Sequence, residues 1–145
     1  MDFTSTRVSV AFLAGVQDAL AADLRSTGLN TEVGIYTLES VDLIYLLDGA
    51  FGGEIMRECL TYSADGLRLG VLIVYQTESA LDQLIAWMSQ VQDAVQEYVK
   101  NIWPYCPNTQ SRRHALLAAI HDGAPVWGCD EHQIYIPLGD LDNSR

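Results

Sequence analysis

The sequence predicts an α+β domain spanning residues 1–145, built on a single mixed or antiparallel sheet of about four strands. Two main helices are expected to pack on one face of that sheet. Three observations predict it. Leu67 to Gln76 alternates and is rich in Leu, Val, Ile and Tyr, side chains that fit a pleated surface. Ser79 to Trp103 follows at once and carries apolar residues at spacings of three and four, the mark of an amphipathic helix. Residues Thr6 to Arg25 repeat that spacing more weakly and predict a leading helix.

In chain order, Phe12, Leu13, Val16, Ala19, Leu20 and Leu24 form the stripe of the first helix, with Thr6 as a possible cap and Gly28 to close it. Glu32 to Glu39 alternates and reads as a short strand. Val41 to Leu47 is apolar enough for a buried strand or a short helix, and periodicity does not decide between them. Asp48 to Gly53 reads as a loop that leaves Phe51 uncovered unless a partner covers it. Glu54 to Tyr62 and the strand from Leu67 are expected to pair as a hairpin around Asp65-Gly66. The Leu67–Gln76 strand is expected to be central, with Leu67, Leu69, Val71, Ile73 and Tyr75 on one face, and Gly70 marks a bend or a close backbone approach.

Ser79 is the expected N-cap of the long helix, with Asp82 in its first turn, and Pro104 ends it. Its stripe is Leu81, Leu84, Ile85, Met88, Val91, Val95, Tyr98, Val99 and Ile102, and Trp87 falls off it. Arg112 to His121 reads as a short helix broken by Asp122-Gly123. Gln133 to Leu138 reads as a last strand, and Pro137 places it at a sheet edge. The tail from Gly139 to Arg145 is polar and expected to be loose.

Composition narrows the function. The chain has 145 residues and a formal charge of −11, which argues against a free-standing nucleic-acid binder and against anionic membrane surfaces. A hydrophobic content of 49% excludes wholesale disorder, and 19% charged residues is low enough to hint at surface covered by partners. No apolar run reaches membrane-span length, and the N-terminal residues do not read as a secretory signal. Three cysteines at wide spacings suggest reduced thiols in a cytoplasmic setting.

Cys106, His114, His121, Cys129 and His132 are the only set of soft ligands. Cys129 and His132 stand three apart, a spacing that can chelate zinc, but there is no Cys-x-x-Cys and the other members lie six to eight residues apart. Ordinary core and surface residues are therefore the favoured account, with no metal and no cofactor expected. Cys129 as a nucleophile is disfavoured because Asp130 and Glu131 would raise its pKa. The scattered carboxylates show no catalytic pattern, and Gly49, Gly52 and Gly53 lack the Lys and Ser/Thr of a phosphate loop. No catalytic residue is assigned, and an enzyme is not expected.

The run Gly66, Val71, Ile73, Tyr75, Gln76, Thr77, then Leu81, Asp82, Leu84, Ile85, Val91, Asp93, Ala94 and Val95, resembles tail-terminator proteins of long-tailed bacteriophages. A leading helix like Val16 to Leu24 is also usual there. The resemblance implies a non-enzymatic, homo-hexameric ring in the virion neck, assembled in the host cytoplasm, that caps the tail tube and docks to a head-completion protein. An acidic lumen would then repel DNA passing through it. Phe51, Ile55, Met56, Trp87, Trp103 and Tyr105 are the expected subunit or partner contacts. The competing expectation is a small acidic interaction protein whose carboxylates mimic nucleic-acid phosphates and inhibit a host enzyme.

Overall fold

Two three-stranded antiparallel sheets share one core in the computed structural model, which describes residues 3, 7–39, 55–76, 78–108 and 113–142. The first helix, α1 (Val10–Leu24), starts where Ser9 Oγ accepts the Phe12 amide at 3.1 Å, three residues later than Thr6 would place it. Phe12, Leu13, Val16, Leu20 and Leu24 are buried along its stripe. A 3₁₀ turn (Arg25–Thr27) follows and closes at Gly28, φ +76°, in the left-handed region.

The first sheet holds β1 (Thr31–Thr37), β2 (Glu58–Ala64) and β3 (Leu67–Leu72) in that order. Asp65 and Gly66, at φ 53° and 82°, turn β2 into β3 as the sequence predicts. Tyr62 lies opposite Gly70, and a Cβ on Gly70 would collide with the Tyr62 hydroxyl and ring. The close approach expected at Gly70 is therefore made by an aromatic side chain.

The long helix, α2 (Ala80–Val99), is capped by Ser79, whose Oγ accepts the Asp82 amide at 3.4 Å. It ends at Val99 with Lys100 in the left-handed conformation, before Pro104 can act as the stop. The second sheet is the meander β4 (Leu117–His121), β5 (Ala124–Cys129) and β6 (Ile134–Pro137). Asp122 and Gly123, at φ 51° and 77°, make its first turn.

The single four-stranded sheet with two helices on one face is thus corrected to two sheets. Helix α1 packs on β1 and β2, while α2 contacts β3 of one sheet and β4 and β5 of the other. The physical reason lies in residues 117–121. Leu-Ala-Ala-Ile has good helix formers, but pairing with Ala124–Gly128 across an Asp-Gly turn satisfies its backbone as a strand. The last strand then pairs with β5 and not with the first sheet. Its edge position, suggested by Pro137, is observed.

Strand β3 is also an edge and not the central strand; β2 is central. Its two-sided apolar character has another cause. Leu72 and Val74 enter the main core, while Val71, Ile73 and Tyr75 pack against a small cluster of Leu38, Ile55 and Cys59 on the opposite face. Helix α2 closes its open edge. Gln90 Nε2 donates to the Val71 carbonyl and Trp87 Nε1 to that of Ile73, both at 3.1 Å, and Gln83 exchanges two 2.7 Å bonds with Tyr75. Spacings of four and three along the helix keep these side chains on the strand side, which blunts an edge open to foreign strands.

One carboxylate ties the second sheet to the first helix. Asp23, fully buried in the last turn of α1, accepts from Trp127 Nε1 at 2.9 Å, the Gly139 amide at 2.9 Å and the Leu141 amide at 3.0 Å. Leu138 and Leu141 are buried beside it, so the start of the tail, expected to be loose, is anchored as far as Leu141. The ambiguous stretch 41–47 and the Phe51 loop lie outside the described residues. Among the described residues no helix is long and apolar enough to cross a membrane.

Candidate metal centre

Two short hydrogen-bonded devices bring four soft ligands together. After α2 the chain turns at Trp103-Pro104 and runs antiparallel to 114–116. The Cys106 amide donates to the His114 carbonyl at 2.8 Å, the Leu116 amide to Pro104 at 2.7 Å, and Tyr105 bridges Ala115. This places Cys106 beside His114. The second device is the turn between β5 and β6. Cys129 is the last residue of β5, and the turn closes with Gln133 at φ 54° and the Gln133 amide to Asp130 oxygen. That turn carries His132. Because β4 pairs with β5 at Leu117–Gly128, the end of β5 falls next to the start of β4, and the two devices meet.

The side-chain ligand atoms of Cys106, His114, Cys129 and His132 all lie within 4.8 Å of one another. His114 Nε2 is 3.2 Å from Cys129 Sγ, Cys129 Sγ is 3.4 Å from His132 Nδ1, and Cys106 Sγ is 3.7 Å from His132 Nδ1. Around a tetrahedral zinc, bond lengths of about 2.3 Å to sulfur and 2.0–2.1 Å to nitrogen put S and N about 3.6 Å apart. The observed separations bracket that value. The two imidazoles stack at 5.1 Å between centroids, and both sulfurs are buried.

Electrostatics within the cluster favour a thiolate. Burial pushes the Cys129 thiol up, but hydrogen bonds from His114, from the His132 amide and ring, and from Cys106 together outweigh it and hold the group at about 7. Burial raises Cys106, and the neighbouring Cys129 adds to the rise against a lowering backbone bond from Asn108. The expected upward push on Cys129 from adjacent carboxylates is corrected here. Asp130 turns its carboxylate to the Tyr135 hydroxyl at 2.8 Å, and imidazoles face the sulfur instead.

The fifth member of the sequence set, His121, stands apart. It ends β4, stacks on Tyr135 at 3.7 Å and lies 3.4 Å from Asp122. Of the expected contact residues, Ile55, Met56, Trp87 and Trp103 are 4–9% exposed and are taken up by the chain's own interior. Tyr105 is 37% exposed, and Phe51 lies outside the described residues. The sequence did carry a signal for the cluster in Cys129-x-x-His132, but its partners 15 and 23 residues upstream are joined to it by β4–β5 pairing and by the bridge between 104–106 and 114–116. Asp23 was missed entirely, since an acid in the last turn of a helix reads as a surface residue. Set against family models, curated proteins and solved structures, the chain matches none.

Proposed function

We propose that this chain is a zinc-binding protein whose Cys106, His114, Cys129 and His132 hold one structural ion. The carrying observation is the convergence of two thiols and two imidazoles within 4.8 Å, with three sulfur–nitrogen separations of 3.2–3.7 Å near the tetrahedral value. Two sulfurs and two nitrogens suit zinc by softness and geometry. Four protein ligands fill its coordination and leave no position for a substrate, which makes the ion a clamp and not a catalyst. It joins the segment that leaves α2 to the β5–β6 turn, and so holds the second sheet in shape. The chain's business is then binding or assembly on a zinc-stabilised scaffold.

Metal analysis of the purified protein tests this directly. About one zinc per chain is expected, and cobalt substitution should show the intense bands of a tetrahedral thiolate site. Wild-type protein that takes up no stoichiometric zinc when reconstituted under reducing conditions would overturn the proposal.

The ring-forming virion role is a second proposal, favoured by one observation. Ile35 and Tyr36 on the edge strand β1, and Leu117 and Ile120 on the edge strand β4, are large apolar side chains 37–62% exposed. Two different sheet edges with uncovered apolar groups suit head-to-tail contacts, which form a ring when the rotation between copies closes. Light scattering after size exclusion tests it, and a monomer at every concentration refutes it.

A further inference from the structure

A hollow of about 190 Å³ lies behind the metal loop, between the ends of both helices. Its apolar wall is Val95, Val99, Ile102 and Trp103. The rim is Tyr105 and Arg113, with the Arg113 guanidinium 4.7 Å from the centre of the Tyr105 ring. These two residues immediately precede the ligands Cys106 and His114, on the two segments bridged at Tyr105–Ala115.

The charge lining this hollow is of one sign. Ser26 Oγ donates to the Asp23 carbonyl and accepts from Trp103 Nε1, and Thr27 Oγ1 donates to Leu24 and accepts from the Leu29 amide. Both hydroxyls are thus engaged within the fold. Asn101 Oδ1 accepts from the Ile102 amide, which leaves the NH₂ donors of that side chain. Among the described residues no carboxylate pairs with Arg113. The hydroxyl oxygens of Ser26, Thr27 and Tyr105 keep lone pairs, but the only charge among the lining residues is the positive one of Arg113. Among the described residues no acid lines this wall, although the chain has a charge of −11. Two other hollows do carry acids, Glu78 with Asp82 in one and Asp18 with Asp140 in the other.

We propose that this hollow binds a small aromatic carboxylate, with its ring against Val99 and Trp103 and its carboxylate on Arg113. An apolar cavity of about 150 Å³ accepts one benzene ring, so 190 Å³ has room for a single ring with a short acid arm. The guanidinium fork matches a carboxylate in two parallel bonds, and Tyr105 holds it in place by stacking. The site goes beyond the metal proposal and rests on it only in that zinc would brace the two segments carrying the rim.

Phenylacetate and the neutral phenylacetamide are the probes, titrated into ¹⁵N-labelled full-length protein whose zinc content is measured on the same sample. Phenylacetate should shift the Trp103 indole N–H and the Tyr105 and Arg113 amides, with a dissociation constant on the order of 1 mM for a ligand of ten heavy atoms. The amide should bind about tenfold more weakly, for want of the charge-assisted pair. Arg113→Gln, an exposed change, should erase that difference, and Val99→Phe should fill the hollow and abolish both titrations. No shifts with phenylacetate at tens of times that concentration, equal binding of the two probes, or an unaltered Arg113→Gln variant would each overturn the site. Zinc bound without a probe response rejects the pocket and keeps the metal. The full probe pattern without zinc rejects the metal and keeps the pocket.

Discussion

Asp23 is the single residue on which the junction of helix and second sheet most depends, and its replacement gives a graded result. Its Oδ2 accepts two bonds, from Trp127 Nε1 and the Gly139 amide, and its Oδ1 accepts one, from the Leu141 amide. In Asp23→Asn the carboxamide oxygen can keep the Oδ2 pair, while its NH₂ faces the Leu141 donor. One bond is lost and two donors are opposed in a site closed to water, a cost of about 2–3 kcal/mol. Asp23→Ala leaves three buried donors without an acceptor, and about 3–5 kcal/mol is expected. For a chain of this length each kcal/mol lowers Tm by roughly 2–4 °C, so Asn should melt about 5–10 °C below wild type and Ala lower still. Thermal unfolding followed by near-UV circular dichroism at pH 7 measures this, since Trp127 and Trp103 pack edge-on at 5.5 Å and report the junction. The sign of the pH dependence is a second check. Burial raises the Asp23 pKa above 3.8 despite the three donors that lower it. The native state then holds more protons than the unfolded one between 3.8 and the raised value, so this contribution to stability falls as pH rises through that window. Asp23→Asn should remove that slope. A variant as stable as wild type at pH 7 would show that the cost of burying the charge cancels the three bonds, and would refute the latch.

Chelation of the metal should loosen β4–β6 first, seen as faster amide exchange at Ala118–Val126 than at Tyr62–Leu72, and uniform loss of protection across both sheets would argue against a local clamp. In the metal-free protein the Cys129 thiol sits at about 7, below its ordinary value of 9.0, so the unfolded state holds the extra proton between these values. Stability should therefore decline as pH falls from about 9 through 7, and Cys129→Ser should flatten the decline in urea titrations. His121→Ala should leave zinc stoichiometry and affinity unchanged, because its ring lies on Tyr135 and away from the cluster; loss of zinc would show a wrong ligand set. Gly70→Ala drives a methyl into the Tyr62 ring and should cost about 1–3 kcal/mol by denaturant titration, a cost that Tyr62→Ala in the same chain should reduce.

Much of the first half of the fold was readable because its signals are local. Ser79 with Asp82, Gly28, and Asp65-Gly66 each act within one turn of chain, and each is found in place, whereas the three-and-four spacing runs on to Ile102 and overshoots the helix end at Val99. The errors begin where one local signal supports two outcomes. Asp122-Gly123 has the same turn chemistry as Asp65-Gly66, yet it reads as a helix break because Leu116 to Ile120 has no alternation of its own. For β3, alternation defines two faces but not which one meets the larger core. Trp87 looked peripheral on a helical stripe, and it is buried because its indole N–H caps an edge strand.

The candidate site was half readable. Residue chemistry named all four residues of the cluster and one extra, and spacing along the chain argued against their meeting. Pairing of β4 with β5 cancels that spacing, which no window of sequence contains. From its amino acids alone, this chain shows its two helices, the Ser79 cap, the Asp65-Gly66 turn and its stock of soft ligands, because backbone sterics and nearest-neighbour hydrogen bonds set them. Tertiary structure decides how many sheets form, which histidine is left out, and that Asp23 is interior. Those outcomes depend on which distant backbone groups and apolar faces satisfy one another.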